Sequence, residues 1–228
     1  MDNGSFQFHS RLHLIKLTGL KASNLEELLE NLRTISGSSI YYHTHHFLQR
    51  HQHLSPEPPN DFGYWISESL GDDRLGEEIS SIDTVSFTSI RGIREGVIEK
   101  IKKALVSRPR LKNLSAPEGE DFVFLKSLSF IFPTPFTANN LNEFADHLER
   151  NISLSCIYFH MFESRLRLER PTNDFSNWLA NSLGEKELAL KIAKLDPYTH
   201  TGESLRNIIV RLVRQRINQL GKNNAKAK

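Results

Sequence analysis

The apolar and polar positions of this chain run through the same order twice. Apolar residues alternate with polar ones in residues 12–17 and again in residues 128–132, which predicts a short strand in each half. Gly19 in the first half, and Pro133 and Pro135 in the second, are expected to end these strands. Apolar residues at helical spacing follow in both halves, at Leu25, Leu28, Leu29 and Leu32 and at Leu141, Phe144, Ala145 and Leu148.

Capping residues predict where the helices begin and end. Asn24 and Glu27 have the spacing of a capping box, in which the first side chain accepts from a free backbone amide and the acid reaches back. Asn140 and Glu143 repeat this spacing in the second half. A later helix in each half is expected to begin at an Asn and stop at a Gly, at Asn60 and Gly71 and at Asn173 and Gly184.

Two landmarks align the halves with each other. Residues 39–43 read Ser-Ile-Tyr-Tyr-His and residues 156–160 read Cys-Ile-Tyr-Phe-His, while Asn-Asp-Phe-x-x-Trp begins at residue 60 and again at residue 173. We therefore predict a first repeat at residues 1–106, a linker at 107–120, a second repeat at 121–221 and a basic, disordered tail at 222–228. The predicted fold is mainly α, with two tandem, pseudo-symmetric helical repeats and at most a short β-strand pair in each.

Composition indicates an ordinary globular protein. Of its 228 residues 38% are hydrophobic and 25% are charged, and no apolar run approaches the roughly 20 residues that a membrane-spanning helix needs. The N-terminus lacks a basic segment followed by an apolar stretch, and the single cysteine, Cys156, cannot form an internal disulfide. We therefore expect a cytoplasmic protein with no membrane contact.

Charge does not favour nucleic acid as a partner. Basic residues without acidic neighbours gather in residues 211–228, but no basic stripe with interleaved aromatic residues runs through the rest of the chain. Arginine near the end of a helix is also favourable without any ligand, because it meets the negative end of the helix dipole. A protein partner or a small ligand is the expectation that remains.

Several longer strings resemble a bacterial family of uncharacterised proteins, catalogued as a domain of unknown function. They are His-Thr-His-His-Phe-Leu from residue 43, Ser-Pro-Glu-Pro-Pro-Asn-Asp-Phe from 55, Arg-Pro-Thr-Asn-Asp-Phe from 170 and Leu-Asp-Pro-Tyr-Thr-His-Thr from 195. The resemblance extends over almost the whole chain. It implies no activity, substrate or catalytic residue, and at most a partner or regulator of carbohydrate-metabolism enzymes.

One cluster of side chains could bind a metal or take part in a reaction. It consists of the histidines at residues 43, 45, 46, 51 and 53. His43 and His46 are three positions apart, so a helix would place them on one face, and the equivalent pair in the second half is His160 and Glu163. Imidazole and carboxylate are ligands that Zn or Fe accepts, so these four residues are a candidate metal set at the repeat interface. The alternatives are a core histidine whose nitrogens bond backbone or a carboxylate, and a general acid or base.

Two further groups of residues have both a structural and a functional interpretation. Arg165, Arg167 and Arg170 could contact an anion or lie on a solvated helix end. Trp65 and Trp178 share a helical face with Phe and Leu, which favours the core over a sugar-stacking surface. Taken together, the residues favour a non-catalytic interaction or regulatory module with a duplicated binding surface. A metal-dependent or histidine-based enzyme is the alternative.

Overall fold

The computed structural model describes residues 4–46, 60–84, 86–167, 172–195 and 200–226, without the side chains of residues 46, 167 and 223–226. The protein is α/β, 61% helical, with two antiparallel strands of 17 residues each. Strand β1 is Phe6–Ala22 and strand β2 is Phe122–Ala138, and they pair with each other in one two-stranded sheet. The prediction of a mainly α protein made of two helical repeats, each with at most a short strand pair, is therefore wrong.

Both strands continue through the residues that the sequence pattern marks as their ends. Gly19 lies inside β1 with a φ of 83°, a value that glycine adopts readily because it has no Cβ. Pro133 and Pro135 lie inside β2. A proline cannot donate to a neighbouring strand, but in a two-stranded sheet each strand has an outer edge where no donor is needed. Prolines are therefore compatible with a long strand here.

The helices follow the predicted order in both halves. The first half contains Leu25–Thr34, Gly37–Tyr41, Asp61–Glu68, Asp73–Ser80 and Ile90–Ser107, and then a 3-10 helix at Pro109–Asn113. The second half contains Leu141–Arg150, Leu154–Tyr158, Ser164–Arg167, Asp174–Asn181, Lys186–Ala193 and Gly202–Lys226. Two π-helical segments, Tyr42–His46 and Phe159–Glu163, continue directly from short α-helices. In the part of the chain described, no helix combines the length and the apolarity that crossing a bilayer requires.

The predicted caps are confirmed. Asn24 accepts hydrogen bonds from the backbone amides of Glu26 and Glu27. Glu27 reaches back one residue further than a standard capping box, to the backbone amide of Ser23, and this hydrogen bond lowers the pKa of the Glu27 carboxyl. Asn140 and Glu143 cap the helix Leu141–Arg150 in the same manner. Local sequence therefore determines where these helices start.

The chain forms two compact units, and each of the two strands is divided between them. Unit 1 contains Met1–Leu12 and Phe130–Lys228, and unit 2 contains His13–Ser129. Each unit therefore contains a part of β1, a part of β2 and the helices of one half of the chain. The tandem duplication and the boundaries of the repeats, the linker and the tail stay predictions from the sequence.

Unit 1 has an aromatic core to which β1 contributes Phe6 and Phe8. The ring of Phe8 stacks on Phe144 at 5.7 Å, and the ring of Phe6 lies 5.3 Å from that of Phe175 and 5.5 Å from that of Trp178. All five rings are buried. Aromatic rings remove a large apolar area from water, so the start of β1 is fixed by hydrophobic packing on helices of the second half.

Unit 2 has a corresponding core to which β2 contributes Phe122 and Phe124. The ring of Phe122 stacks on Phe62 at 5.1 Å and lies 5.6 Å from Trp65. The same unit contains a close approach of two helices, Asp61–Glu68 and Asp73–Ser80. Gly63 and Gly76 face each other there, and a Cβ on either would lie 2.8 Å from the carbonyl oxygen of the other. Side chains larger than hydrogen therefore do not fit at this contact.

Candidate functional site

The two histidines that the sequence analysis selects, His43 and His160, lie in the two π-helical segments. Each segment continues a short α-helix, Gly37–Tyr41 in unit 2 and Leu154–Tyr158 in unit 1. π-Helical turns are rare and occur frequently at functional sites. Both imidazoles are 2% exposed, so neither ring contacts bulk water to any extent.

His160 in unit 1 has a hydrogen-bond partner for each ring nitrogen. Its Nδ1 lies 2.9 Å from the carboxylate of Asp174, and its Nε2 accepts from the backbone N–H of His9 in β1 at 2.8 Å. The ring packs against Phe6 and Phe175 at 4.8 and 5.3 Å. Burial lowers the pKa of His160 below its ordinary value, and the hydrogen bond to Asp174 opposes this shift without cancelling it.

His43 in unit 2 makes the same set of contacts. Its Nδ1 lies 2.7 Å from the carboxylate of Asp61, and its Nε2 accepts from the backbone N–H of Leu125 in β2 at 3.0 Å. Phe122 and Phe62 cover the ring at 4.7 and 5.4 Å. Each unit therefore contains a His–Asp pair, and in each the imidazole holds a strand by its backbone.

These hydrogen bonds fix the tautomer and limit the chemistry. An N–H group can only donate to a backbone partner, so Nε2 of each ring carries no proton and Nδ1 carries it and donates to the carboxylate. A general base or a metal ligand needs a nitrogen whose lone pair faces the substrate or ion. To supply such a nitrogen, His43 and His160 would have to lose the hydrogen bond that Nε2 accepts from the strand amide. Both contact sets agree with the core interpretation of these histidines.

Glu163, the fourth residue of the candidate metal set, forms an ion pair with Arg11 of β1 inside unit 1. Both side chains are 1% exposed. A buried charge requires a partner of opposite charge, because transfer of an isolated ion out of water is very costly. The guanidinium of Arg11 fulfils this requirement for Glu163, so the carboxylate has a structural function that needs no metal.

The rest of the proposed metal set is not brought together by these contacts. His43 belongs to unit 2, His160 and Glu163 belong to unit 1, and the side chain of His46 lies outside the described residues. Within the described ranges, no group of three or more His, Cys, Asp or Glu residues could hold a metal ion. The Zn or Fe site stays a prediction.

His45, another histidine of the same cluster, stacks its ring on that of Tyr41 at 5.2 Å.

The arginine cluster falls partly outside the described residues. Arg165 lies half-buried in the helix Ser164–Arg167, whereas the side chain of Arg167 and all of Arg170 are not described. His51 and His53 lie in the undescribed range 47–59. An anion contact by these arginines therefore stays a prediction.

Both tryptophans are core residues, and each also donates a hydrogen bond from its indole N–H. Trp65 is 6% exposed and its indole N–H donates to the carbonyl of Glu120. Trp178 is 5% exposed and donates to the carbonyl of Gly4. Each indole thus fixes the backbone that leads into a strand. Neither presents a whole ring face to solvent, which agrees with the core interpretation.

A pocket of about 520 Å³ adjoins the His–Asp pair of unit 1. His160 and Asp174 lie on its wall, together with His9 of β1 and Trp178. Its remaining lining residues are mainly small or polar: Ser5, Phe6, Gln7, Ile131, Phe159, Ser164, Asn177, Asn181 and Ser182. The pocket is open to solvent, and none of its described lining residues is Lys or Arg.

Three residues of this pocket were missed by the sequence analysis. From the sequence, Asp174 has no function beside the cap Asn173, which the structure has, whereas the Asp174 carboxylate accepts from Nδ1 of His160. Gln7 and His9 alternate with Phe6 and Phe8, so their polar side chains lie on the opposite side of β1 from the buried rings. This alternation begins before residue 12 and is the signal that could have identified them.

Comparison with known proteins places the chain in a family. The model of the Family of unknown function (DUF5752) matches residues 3–214. The solved structure of OrfY from Thermoproteus tenax is similar, with a TM-score of 0.80 and 27% sequence identity over 92% of this chain and 94% of that chain. No curated protein matches the sequence. Because the family model extends over most of the chain, the protein belongs to the Family of unknown function (DUF5752).

Proposed function

We propose that this protein is a non-catalytic, cytoplasmic interaction or regulatory module with a binding surface on each of its two halves. The supporting observation is the use of both imidazole nitrogens in each His–Asp pair. His43 and His160 accept from strand amides through Nε2 and donate to carboxylates through Nδ1. A catalytic histidine exchanges a proton with its substrate, which these hydrogen bonds prevent in the described geometry.

Burial supports the same proposal. Both rings are packed against phenylalanines, and a proton transfer from a substrate to Nε2 would first require the strand amide to move away. This movement would also cost free energy, because leaving a buried amide without its acceptor destabilises the protein by about 1–3 kcal/mol. The histidine pairs thus fit a rigid scaffold that presents a surface better than they fit a reaction centre.

An experiment with a mixture of metabolites separates binding from catalysis. The purified protein is incubated with a cell extract, and small molecules are measured by mass spectrometry both in solution and in the retained protein fraction. A binding module retains some compounds unchanged and consumes none. If a compound disappears and a product accumulates with the wild type but not with His160→Phe and His43→Phe variants, the protein is an enzyme.

The alternative is a metal-dependent or histidine-based enzyme, and the observation in its favour is the pocket beside His160 and Asp174. A His–Asp pair next to a polar cavity resembles the way in which many enzymes orient a histidine. Elemental analysis after dialysis tests the metal-dependent version. Stoichiometric Zn or Fe that is lost in the His43→Phe variant would favour it over the binding module.

A further inference from the structure

Residues 14–20 of β1, which belong to unit 2, present several large apolar side chains to solvent. Residues 14–17 are all exposed, and Leu14, Ile15 and Leu17 among them are 50%, 47% and 67% exposed. Leu20 is also exposed. Monomeric proteins rarely leave so many neighbouring apolar side chains in contact with water, and contiguous apolar surface of this kind marks a site of association.

The same residues form an outer edge of the sheet. The hydroxyl of Thr18 donates to the carbonyl of Phe124, so this carbonyl faces β1. The backbone N–H of the next residue, Leu125, donates to His43 instead and faces away from β1. Opposite residues of an antiparallel pair face the same way and the direction alternates along a strand, so Leu17 directs its N–H and C=O away from β2. Such an edge is a template for pairing with another chain.

The corresponding edge of β2 is blocked by prolines. Both strands have 17 residues and nearly the same pattern of burial, so their positions correspond one to one. Pro133 and Pro135 of β2 occupy the positions that Leu17 and Gly19 occupy in β1. A proline has no N–H to donate, so prolines at a sheet edge prevent another strand from adding to it. Residues 14–20 contain no proline, which leaves the edge of β1 able to pair.

The edge of β1 is complementary to itself. When two copies of a strand pair antiparallel about a twofold axis, each residue lies opposite the one at the same distance beyond the axis. With the axis at Leu17, the two Leu17 side chains lie opposite each other, and Leu14 lies opposite Leu20 of the second copy. Lys16 then lies opposite Thr18. An axis at Lys16 would place two like charges opposite each other, which is destabilising.

We infer that two copies of this chain associate edge to edge through β1, with Leu17 at the twofold axis, and form a four-stranded sheet in the order β2–β1–β1–β2. Ile15 lies opposite Gly19 of the second copy, and the φ of 83° at Gly19 ends the regular stretch. So short a pairing buries less than the roughly 800 Å² per partner of a standard interface, so the dimer should dissociate on dilution. The inference does not depend on the proposed binding function.

Sedimentation velocity of the full chain over a range of concentrations tests the association. We expect a reversible monomer–dimer equilibrium for the wild type. Leu17→Pro gives β1 the residue that β2 has at the corresponding position, removes the edge N–H and should weaken dimerisation at least tenfold. Leu17→Lys keeps the N–H but places two like charges opposite each other, and it should weaken dimerisation as well. Leu190→Lys, at a leucine that is 63% exposed in unit 1, is the matched control and should leave the equilibrium unchanged.

Disulfide crosslinking tests the register. Directly opposite residues of this kind have Cα atoms about 5.5 Å apart, within the range of roughly 4.4–6.8 Å that a disulfide spans. Leu17→Cys should therefore form a covalent dimer on mild oxidation. Ile15→Cys is also exposed, but the two copies of residue 15 would lie about 13 Å apart along the strands, so this variant should stay uncrosslinked. The buried Cys156 makes the wild type a suitable blank.

Several results would overturn the inference. They are a wild type that stays monomeric at every concentration, a dimer that persists unchanged in both Leu17→Pro and Leu17→Lys, and crosslinking of Ile15→Cys that equals or exceeds that of Leu17→Cys. Thermal melts of each variant confirm that any loss of association is measured on folded protein. These experiments record mass and crosslinking rather than ligand binding or turnover, so their failure would leave the proposed function untouched.

Discussion

The backbone N–H of His9 donates to Nε2 of His160 at 2.8 Å, although the two residues lie 151 positions apart in the chain. In the other unit the backbone N–H of Leu125 donates to Nε2 of His43 at 3.0 Å, across 82 positions. A buried imidazole thus holds each strand to the helices of its unit. Because each ring also donates to a carboxylate, its orientation is fixed from both sides.

Removal of the His160 hydrogen bonds should destabilise the protein. His160→Phe keeps a ring of similar size but leaves the amide of His9 and the carboxylate of Asp174 without this partner. We expect a loss of about 1–3 kcal/mol in the free energy of unfolding, measured with urea. His200→Phe, at a half-buried position, is the control and should change stability much less. Equal stability of wild type and His160→Phe would show that the hydrogen bonds contribute nothing.

Unit 2 should fold as a fragment only when β2 is included. Residues 13–129 contain Phe122 and Phe124, whose rings pack on Phe62 and other core residues, whereas residues 4–116 have a similar length but lack both rings. We expect residues 13–129 to give a cooperative thermal transition by circular dichroism and residues 4–116 to give none. Cooperative melting of residues 4–116 at the higher temperature of the two would contradict the assignment of β2 to this core.

Gly63→Ala should be costly because of the helix contact with Gly76. The added Cβ would meet the carbonyl oxygen of Gly76 at 2.8 Å and the hydroxyl of Ser80 even more closely, so the two helices must separate. We expect a loss of about 1–3 kcal/mol in urea unfolding. Gly221→Ala is the matched control, since no atom lies within 4 Å of its Cβ and alanine should raise helix stability by about 0.5–1 kcal/mol.

Cys156 should be unreactive in the folded protein. Its side chain is buried, and burial raises the pKa of the thiol to about 12, so almost no thiolate is present near neutral pH. We expect negligible reaction with Ellman's reagent at pH 8 under native conditions and complete reaction of this single thiol in guanidinium chloride. Rapid labelling of the native protein would mean that the helix Leu154–Tyr158 opens frequently.

Stability should fall on mild acidification, in part through His160. Burial lowers the pKa of this ring in the folded state below the value of about 6.5 that an unfolded chain has. The unfolded state then binds more protons, so the contribution is complete above about pH 6.5 and is lost as the pH falls through the lowered folded pKa. Urea unfolding between pH 8 and pH 5 should show a smaller pH dependence for His160→Gln. An identical slope for both proteins would contradict the lowered pKa.

The sequence predicted the helices and their caps well because these depend on neighbouring residues. Asn24 caps the helix Leu25–Thr34 and Asn60 caps Asp61–Glu68, as their spacing indicates. Strand length was not predictable in this way. The hydroxyl of Thr134 donates to the carbonyl of Phe8 across 126 positions, and no local pattern specifies such a partner. The apolar–polar alternation predicted a strand only from residue 12 onward, so Phe6 and Phe8 lay outside the predicted strand.

The candidate site was predicted only in part for the same reason. The sequence selected His43 and His160, but the partner of each Nε2 is a backbone amide of a distant strand, which carries no side-chain signature. Asp174 sits next to a helix start, where a cap is the simpler interpretation. The ion-pair partner of Glu163 is Arg11, which lies far away in the sequence, so the spacing of His160 and Glu163 could not predict this buried pair.

The pairing of β1 with β2 also has a consequence for synthesis on the ribosome. The strand Phe6–Ala22 leaves the exit tunnel early, yet the strand that pairs with it is translated only at Phe122–Ala138. At roughly 5–20 residues per second, the delay is on the order of ten seconds. During that time Phe6 and Phe8 lack the rings of Phe144, Phe175 and Trp178 that cover them in the folded protein. The nascent chain is therefore expected to need protection by a chaperone until the second half emerges.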